Sequence, residues 1–163
     1  MASQDARSMV DRMIGASRLD IHIFEEVEAD TSATRQALSV VLLVALATGI
    51  ASMGTFGLLG LIIGAVVAVV GWAIWAWIVY FIGTKILPGH GTHADWGQLA
   101  RSLGFAQSPG VLRVFGVLPV VGGIILLVVS VWMLVAMVIA VRQALDYTST
   151  LRAIGVVLLG FIP

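Results

Sequence analysis

A chain of 163 residues that is 60% hydrophobic, 11% charged and formally neutral, with a mean hydropathy of +1.05, falls outside the range of soluble domains, which are about 45–50% apolar. Zero net charge gives no basic balance for nucleic acid. The absence of cysteine removes disulfides, thiolate catalysis and Cys-based metal centres. Seven of the nine acidic residues (Asp5, Asp11, Asp20, Glu25, Glu26, Glu28 and Asp30) precede residue 37, and beyond it only Lys85, Asp95, Arg101, Arg113, Arg142, Asp146 and Arg152 are charged. A charge at the bilayer centre costs about 2.5–3.5 kcal/mol, so runs cleared of charge in this way read as membrane helices.

Residues 1–36 read as short amphipathic pieces on the cytoplasmic face of the membrane. Met9, Val10, Met13 and Ile14 recur at helical spacing, with Asp5, Arg7, Asp11 and Arg12 assigned to the opposite side. Ile21, Ile23, Phe24 and Val27 form a second apolar stripe among Glu25, Glu26 and Glu28. Such segments lie on the membrane surface or against the protein's own bundle; the acidic cluster is also suited to a basic partner. The segment mixes acids and bases without the apolar core of a cleavable signal, so the first span is expected to act as its own insertion signal.

The remainder, residues 37–163, reads as one transmembrane domain with spans at 37–53, 58–82, 108–119, 120–141 and 153–163. Asp30-Thr31-Ser32-Ala33-Thr34 supplies a polar lead-in suited to an N-cap. An uncharged turn at Gly54-Thr55-Phe56-Gly57 makes the first two spans an antiparallel hairpin. Small residues let membrane helices approach closely; here the candidates are Ala45, Gly49 and Ser52 on the first span, and Gly57, Gly60, Gly64, Ala68 and Gly71 on the second. Packing within the chain is the expected use of this stripe, and homo-oligomerisation the alternative. Trp72, Trp75, Trp77 and Tyr80 crowd toward one end of the second span, and Trp96 follows in the connector; all five read as anchors at headgroup level.

The connector over 83–110 carries Thr92-His93-Ala94-Asp95, which resembles a capping box opening a short interfacial helix, with Gln98, Arg101 and Ser102 turned to water. The apolar stretch between Pro109 and Pro119 covers about half a bilayer by the helical rise. If it crosses, Arg7, Arg12, Arg18, Arg35, Lys85, Arg101, Arg142 and Arg152 all fall on one side, and the opposite turns carry no charge. The positive-inside rule therefore favours five spans over a re-entrant piece. Arg113 is the one basic residue inside an apolar run. An intramembrane charge is a pathway or binding candidate, against which stands snorkelling of its long stem to the cytoplasmic interface. Trp132, interior to the fourth span, is expected to pack against neighbouring helices.

Few motifs of chemistry occur. His90, His93 and Asp95 supply at most three metal ligands with no second shell in the sequence, so no metal site is assigned. The nucleophile-elbow, zincin and P-loop patterns are absent. No carboxylate lies within a span, as a proton-coupled carrier would need.

The order of these pieces resembles bacterial members of the Yip1-domain family. The resemblance is carried by the segment VEADTSATRQAL, the Gly-rich hairpin, GTHADWGQLARSLGFAQSPGVLRVFGVLP and the tryptophan-bearing span VSVWMLVAMVIAVRQAL. It implies a five-span integral membrane protein with a cytoplasmic N-terminus, whose eukaryotic relatives bind prenylated GTPases in vesicle traffic. The N-terminal tyrosine-glycine motif of those relatives has no counterpart, since no Tyr precedes Tyr80. The last span is short at Pro163 and is expected to complete its packing on another chain. The expectation is thus an all-α bundle of the cell membrane, without catalytic residue or cofactor, whose partners are the lipid bilayer and other membrane proteins. It would act as scaffold, recruiter or accessory subunit, with bilayer shaping or a small channel or carrier as alternatives.

Overall fold

The computed structural model describes residues 7–51, 53–89 and 91–162, with the side chains of 53–56 outside that description. Asp5, Ser52, His90 and Pro163 therefore lie beyond the described residues. Every regular element among those described is helical: α1 (Met9–Ser17), α2 (Ile21–Ala29), α3 (Ala33–Ala51), α4 (Met53–Phe81), α5 (Trp96–Ala106), α6 (Gly122–Ala144) and α7 (Thr150–Gly160), with a π-helical turn at Ile82–Ile86 and a 3₁₀ helix at Ser108–Val117.

Helices α3, α6 and the Gly57–Ile86 stretch are long and apolar enough to cross a membrane. The turn expected before residue 58 is a sharp break at Gly57, whose φ of 58° and ψ of −164° interrupt α4. Glycine alone reaches that conformation without a Cβ clash. From there α4 and its π-helical extension run 30 residues, about 45 Å by the helical rise against a hydrocarbon core of about 30 Å. A stretch of that length crosses with a tilt, and α5 and α7 pack on its C-terminal half through Trp72 and Trp75.

Two expectations are overturned. Helix α5 does not lie along the surface. Residues 99–106 are all buried, including Arg101 and Ser102, which the amphipathic pattern had turned to water. The helix crosses the bundle between α2, α3, α4 and α6, and small residues make this passage narrow. A Cβ on Gly104 would meet Ala37 Cβ at 2.8 Å and its Cα at 3.2 Å. The Nε1–H of Trp72 donates to the Ala100 carbonyl at 2.9 Å. The capping box is real but sits three residues later than expected: Asp95 is the N-cap, accepting from the Gln98 amide at 2.8 Å, while Gln98 Oε1 accepts from the Asp95 amide at 2.7 Å. Thr92 instead donates to the Leu145 carbonyl at 3.0 Å.

The second correction concerns the third span. Residues 108–117 wind as a 3₁₀ helix, not an α-helix, so ten residues cover about 20 Å at a rise of about 2.0 Å. It climbs between α3 and α6, where glycines again set the spacing. A Cβ on Gly110 would meet Val44 at 2.6 Å and Met133 at 3.0 Å, and one on Gly122 would meet the Gly116 carbonyl oxygen at 2.3 Å. Helix α7 spans only about 16 Å by its rise and lies along the lower part of α4, ending where Phe161 meets Trp75 with ring centroids 4.5 Å apart.

The Gly104–Ala37 contact predicts an asymmetric response to bulk. Gly104→Leu should lower stability by about 1–3 kcal/mol, the usual cost of overpacking. Gly71→Leu, with nothing within 4 Å of its position, should leave it within about 0.5 kcal/mol. Thermal unfolding in detergent, followed by circular dichroism, reads both.

Candidate functional site

The chemistry of this chain is concentrated where the α1–α2 hairpin, α5 and the two connectors meet at one end of the bundle. Arg12 organises the hairpin. Its side chain is 2% exposed, on the face of α1 shared with Met9 and Ala16, not on the polar face assigned from the sequence. The guanidinium donates to Glu26 Oε1 at 3.0 Å, Gln36 Oε1 at 2.9 Å and Asp30 Oδ2 at 2.7 Å. One residue thereby ties α1, α2 and the start of α3 together. Asp30 is held below the usual carboxylate range, first by hydrogen bonds from Ser32 and then by Arg12.

Arg101 performs the second tie. Its Nε donates to the carbonyls of Val27 at 3.0 Å and Glu28 at 3.1 Å, and its Nη2 also reaches the Glu28 carbonyl. These are carbonyls of the last turn of α2, which have no partner within the helix, and a cation there is favoured by the helix dipole. Glu28 Oε1 itself accepts from Gln98 Nε2 at 3.2 Å. Burial pushes its pKa from 4.5 up to about 7; Asp146, Glu25 and Asp95 add to the rise and Arg101 opposes it. Lower down, the Tyr147 hydroxyl is shared between the carbonyls of Leu87 at 2.6 Å and Gly83 at 2.9 Å. Arg152 donates to the Pro88 carbonyl at 2.8 Å.

The residues singled out from the sequence are not brought together. His93 is exposed and Asp95 is committed to capping α5; among the described residues no three His, Asp or Glu side chains converge on a metal-sized space. The small-residue stripe divides. On α3, Gly49 receives Leu61, which a Cβ would meet at 2.2 Å, and Ala45 is half-buried. On α4, Ala68 packs on the core and Gly60 is half-buried. Gly57 sits at the kink, and Gly64 and Gly71 face open space. Packing of the whole stripe inside the chain is therefore corrected: its middle points outward, among Leu59, Ile63, Val66 and Val67, each more than half exposed.

The aromatic anchors divide as well. Trp72 is buried, and Trp75 packs on Gly160 and Phe161. Trp77, stacked on Phe81 with centroids 5.6 Å apart, and Trp96 stay exposed, the latter donating to the Ala73 carbonyl at 3.2 Å. Tyr80 is half-buried. Trp132 packs as expected, its Nε1–H donating to the Ser17 carbonyl at 2.8 Å. Arg113 does not extend to the end of the bundle near α5; its Nη2 donates to Ser130 Oγ at 3.3 Å on α6.

An all-helical membrane bundle with a glycine-spaced hairpin, a proline-bounded short segment and a tryptophan span is the setting for the comparison with known proteins. The Yip1 domain matches residues 22–162. The chain belongs to the Yip1 family. No curated protein and no solved structure matches it. The Yip1 match begins inside α2, so it takes in Arg101, Glu28 and the 3₁₀ helix but leaves α1 and Arg12 outside.

Sequence reasoning missed Arg12, Arg101 and Glu28. Arg12 had a signal, being three residues after Met9 and four before Ala16 on the buried face of α1. Arg101 had none, because its acceptors lie more than seventy positions away in the chain. Glu28 in this Yip1 domain makes a pH prediction whose sign is fixed. Its folded pKa is raised, so the native state holds a proton that the unfolded chain has released. Its contribution to stability is complete below 4.5 and is lost as pH rises through about 7. Glu28→Gln, which still accepts from Gln98, should flatten that decline and leave the variant more stable than wild type above pH 7. Melting temperatures across this window in buffered detergent measure it.

Proposed function

We propose that this Yip1-family membrane protein is a non-catalytic, five-span scaffold or accessory subunit of a larger complex in the cell membrane, with the α1–α2 hairpin in the cytoplasm. The reading rests on one observation above the others: the half of α4 nearest Gly57 presents an outward apolar face interrupted by open glycines. Gly64 and Gly71 have nothing within 4 Å, and small residues in such a face are what close helix–helix association in lipid requires. On the other half of the same helix Trp72 and Trp75 pack on α5 and the end of α7, so the face near Gly57 is a distinct surface.

Two features support the topology. Helix α5 feeds directly into the 3₁₀ helix between α3 and α6, which supports reading the stretch 108–119 as the third crossing. All Lys and Arg except Arg113 lie on the hairpin or near the α5 end of the bundle, as the positive-inside rule asks of a cytoplasmic face. The fifth span, α7, crosses only with local thinning of the bilayer or help from a neighbour.

A photo-crosslinking residue placed at Gly64 tests the reading in native membranes. The expected result is a discrete protein adduct, from a second copy or another membrane protein, with much weaker protein crosslinking from the same probe at Leu134, an exposed position on α6. Lipid adducts alone at Gly64 would contradict it.

A further inference from the structure

The α1 helix does not close fully on the bundle. Between it and the membrane helices runs an apolar groove of about 510 Å³, walled by Met9 and Met13 of α1, Leu43 of α3, Leu112 of the 3₁₀ helix and Trp132 of α6, with Arg18 at its rim. Arg18 is the only charged residue of the lining. It is exposed and makes no side-chain hydrogen bond or ion pair among the described residues; Asp11, Asp20 and Arg7 share a neighbouring polar depression with it, with no carboxylate within ion-pair distance.

We infer that this groove holds one acyl chain of an anionic phospholipid, with the phosphate on the Arg18 guanidinium. Two of its walls, α3 and α6, are helices long and apolar enough to cross a membrane, so hydrocarbon chains are the material in contact with its open side. The α1 wall is amphipathic, and Val10 and Ile14, which also line the groove, are 57% and 46% exposed; an amphipathic helix of this kind meets the bilayer at the level of headgroup and upper chain. Methionine side chains adapt to a flexible chain better than branched ones. The guanidinium offers a planar pair of donors matched to a phosphate, and the lining holds no carboxylate to repel it. Arg113, next in sequence to Leu112 and bonded to Ser130 on α6, puts a second guanidinium within about one helical turn of the groove. An apolar chain with an anionic head answers both the wall and the rim; a zwitterionic lipid answers the wall alone.

Trp132 makes the site directly readable. Full-length protein in detergent is titrated with phosphatidylglycerol carrying brominated acyl chains and, separately, with phosphatidylcholine carrying the same chains. The fluorescence difference between wild type and Trp132→Phe isolates the Trp132 signal. The expected result is stronger quenching of that signal by the anionic lipid at equal mole fraction. The preference should disappear in Arg18→Gln, persist in Arg18→Lys, and weaken in wild type as salt is raised. Met13→Phe, which fills the groove without changing its charge, should reduce quenching by both lipids. Equal quenching by the two headgroups in wild type, or a preference that survives Arg18→Gln, overturns the inference. So does a Trp132 signal that neither lipid quenches, the result if another polypeptide segment fills the groove. The salt titration needs no variant, so a misfolded Arg18→Gln leaves the inference testable.

Discussion

The fold depends on how one buried cation is satisfied. Arg101 sits on a helix in the middle of the bundle, 5% exposed, where an unpaired guanidinium would cost several kcal/mol. Its partners are the terminal carbonyls of α2, groups that would themselves be orphaned at a buried helix end. Each deficiency is resolved by the other. The consequence is that α2 must lie over α5, and α5 must lie inside. Once α5 is inside, Gly104 has to meet Ala37, Trp72 has to find the Ala100 carbonyl, and the chain is delivered into the 3₁₀ helix between α3 and α6.

The membrane helices were legible because hydropathy is a local signal. α3, α4 and α6 fall within a few residues of the runs read from composition, and the Gly57 break stands where an uncharged glycine turn was expected. The cross-brace was not legible because its partners are remote. Gln98, Arg101 and Ser102 beside Leu99 and Leu103 make an ordinary amphipathic pattern, and nothing nearby distinguishes a polar face bonded to another helix end from one turned to water. The 3₁₀ winding of Ser108–Val117 is likewise a packing result. Gly110 and Gly116 let it slip between two helices, whereas its hydropathy fits an α-helix equally well. The stripe on α4 has the right spacing along its length, yet α3 covers only part of it, and which part is set by how the two helices pack.

The polar end contrasts two kinds of acid. Asp30 and Glu26 are matched by Arg12 and bind the hairpin together. Glu28 stands among other carboxylates, half-buried, and titrates near neutrality. The hairpin is thus firmly joined to α3 but rests on α5 through a joint whose charge state changes near physiological pH. In this Yip1-family protein that joint links the α1–α2 hairpin to the bundle whose α4 carries the outward apolar face.

The central claim is that α5 is an interior brace. Hydrogen–deuterium exchange on the detergent-solubilised full chain tests it most directly. The account predicts that the amides of residues 99–106 exchange as slowly as those in the middle of α6, and that Arg101→Ala accelerates α5 and α2 together while leaving α6 slow. Exchange across 99–106 at the rate of an exposed surface helix would contradict it.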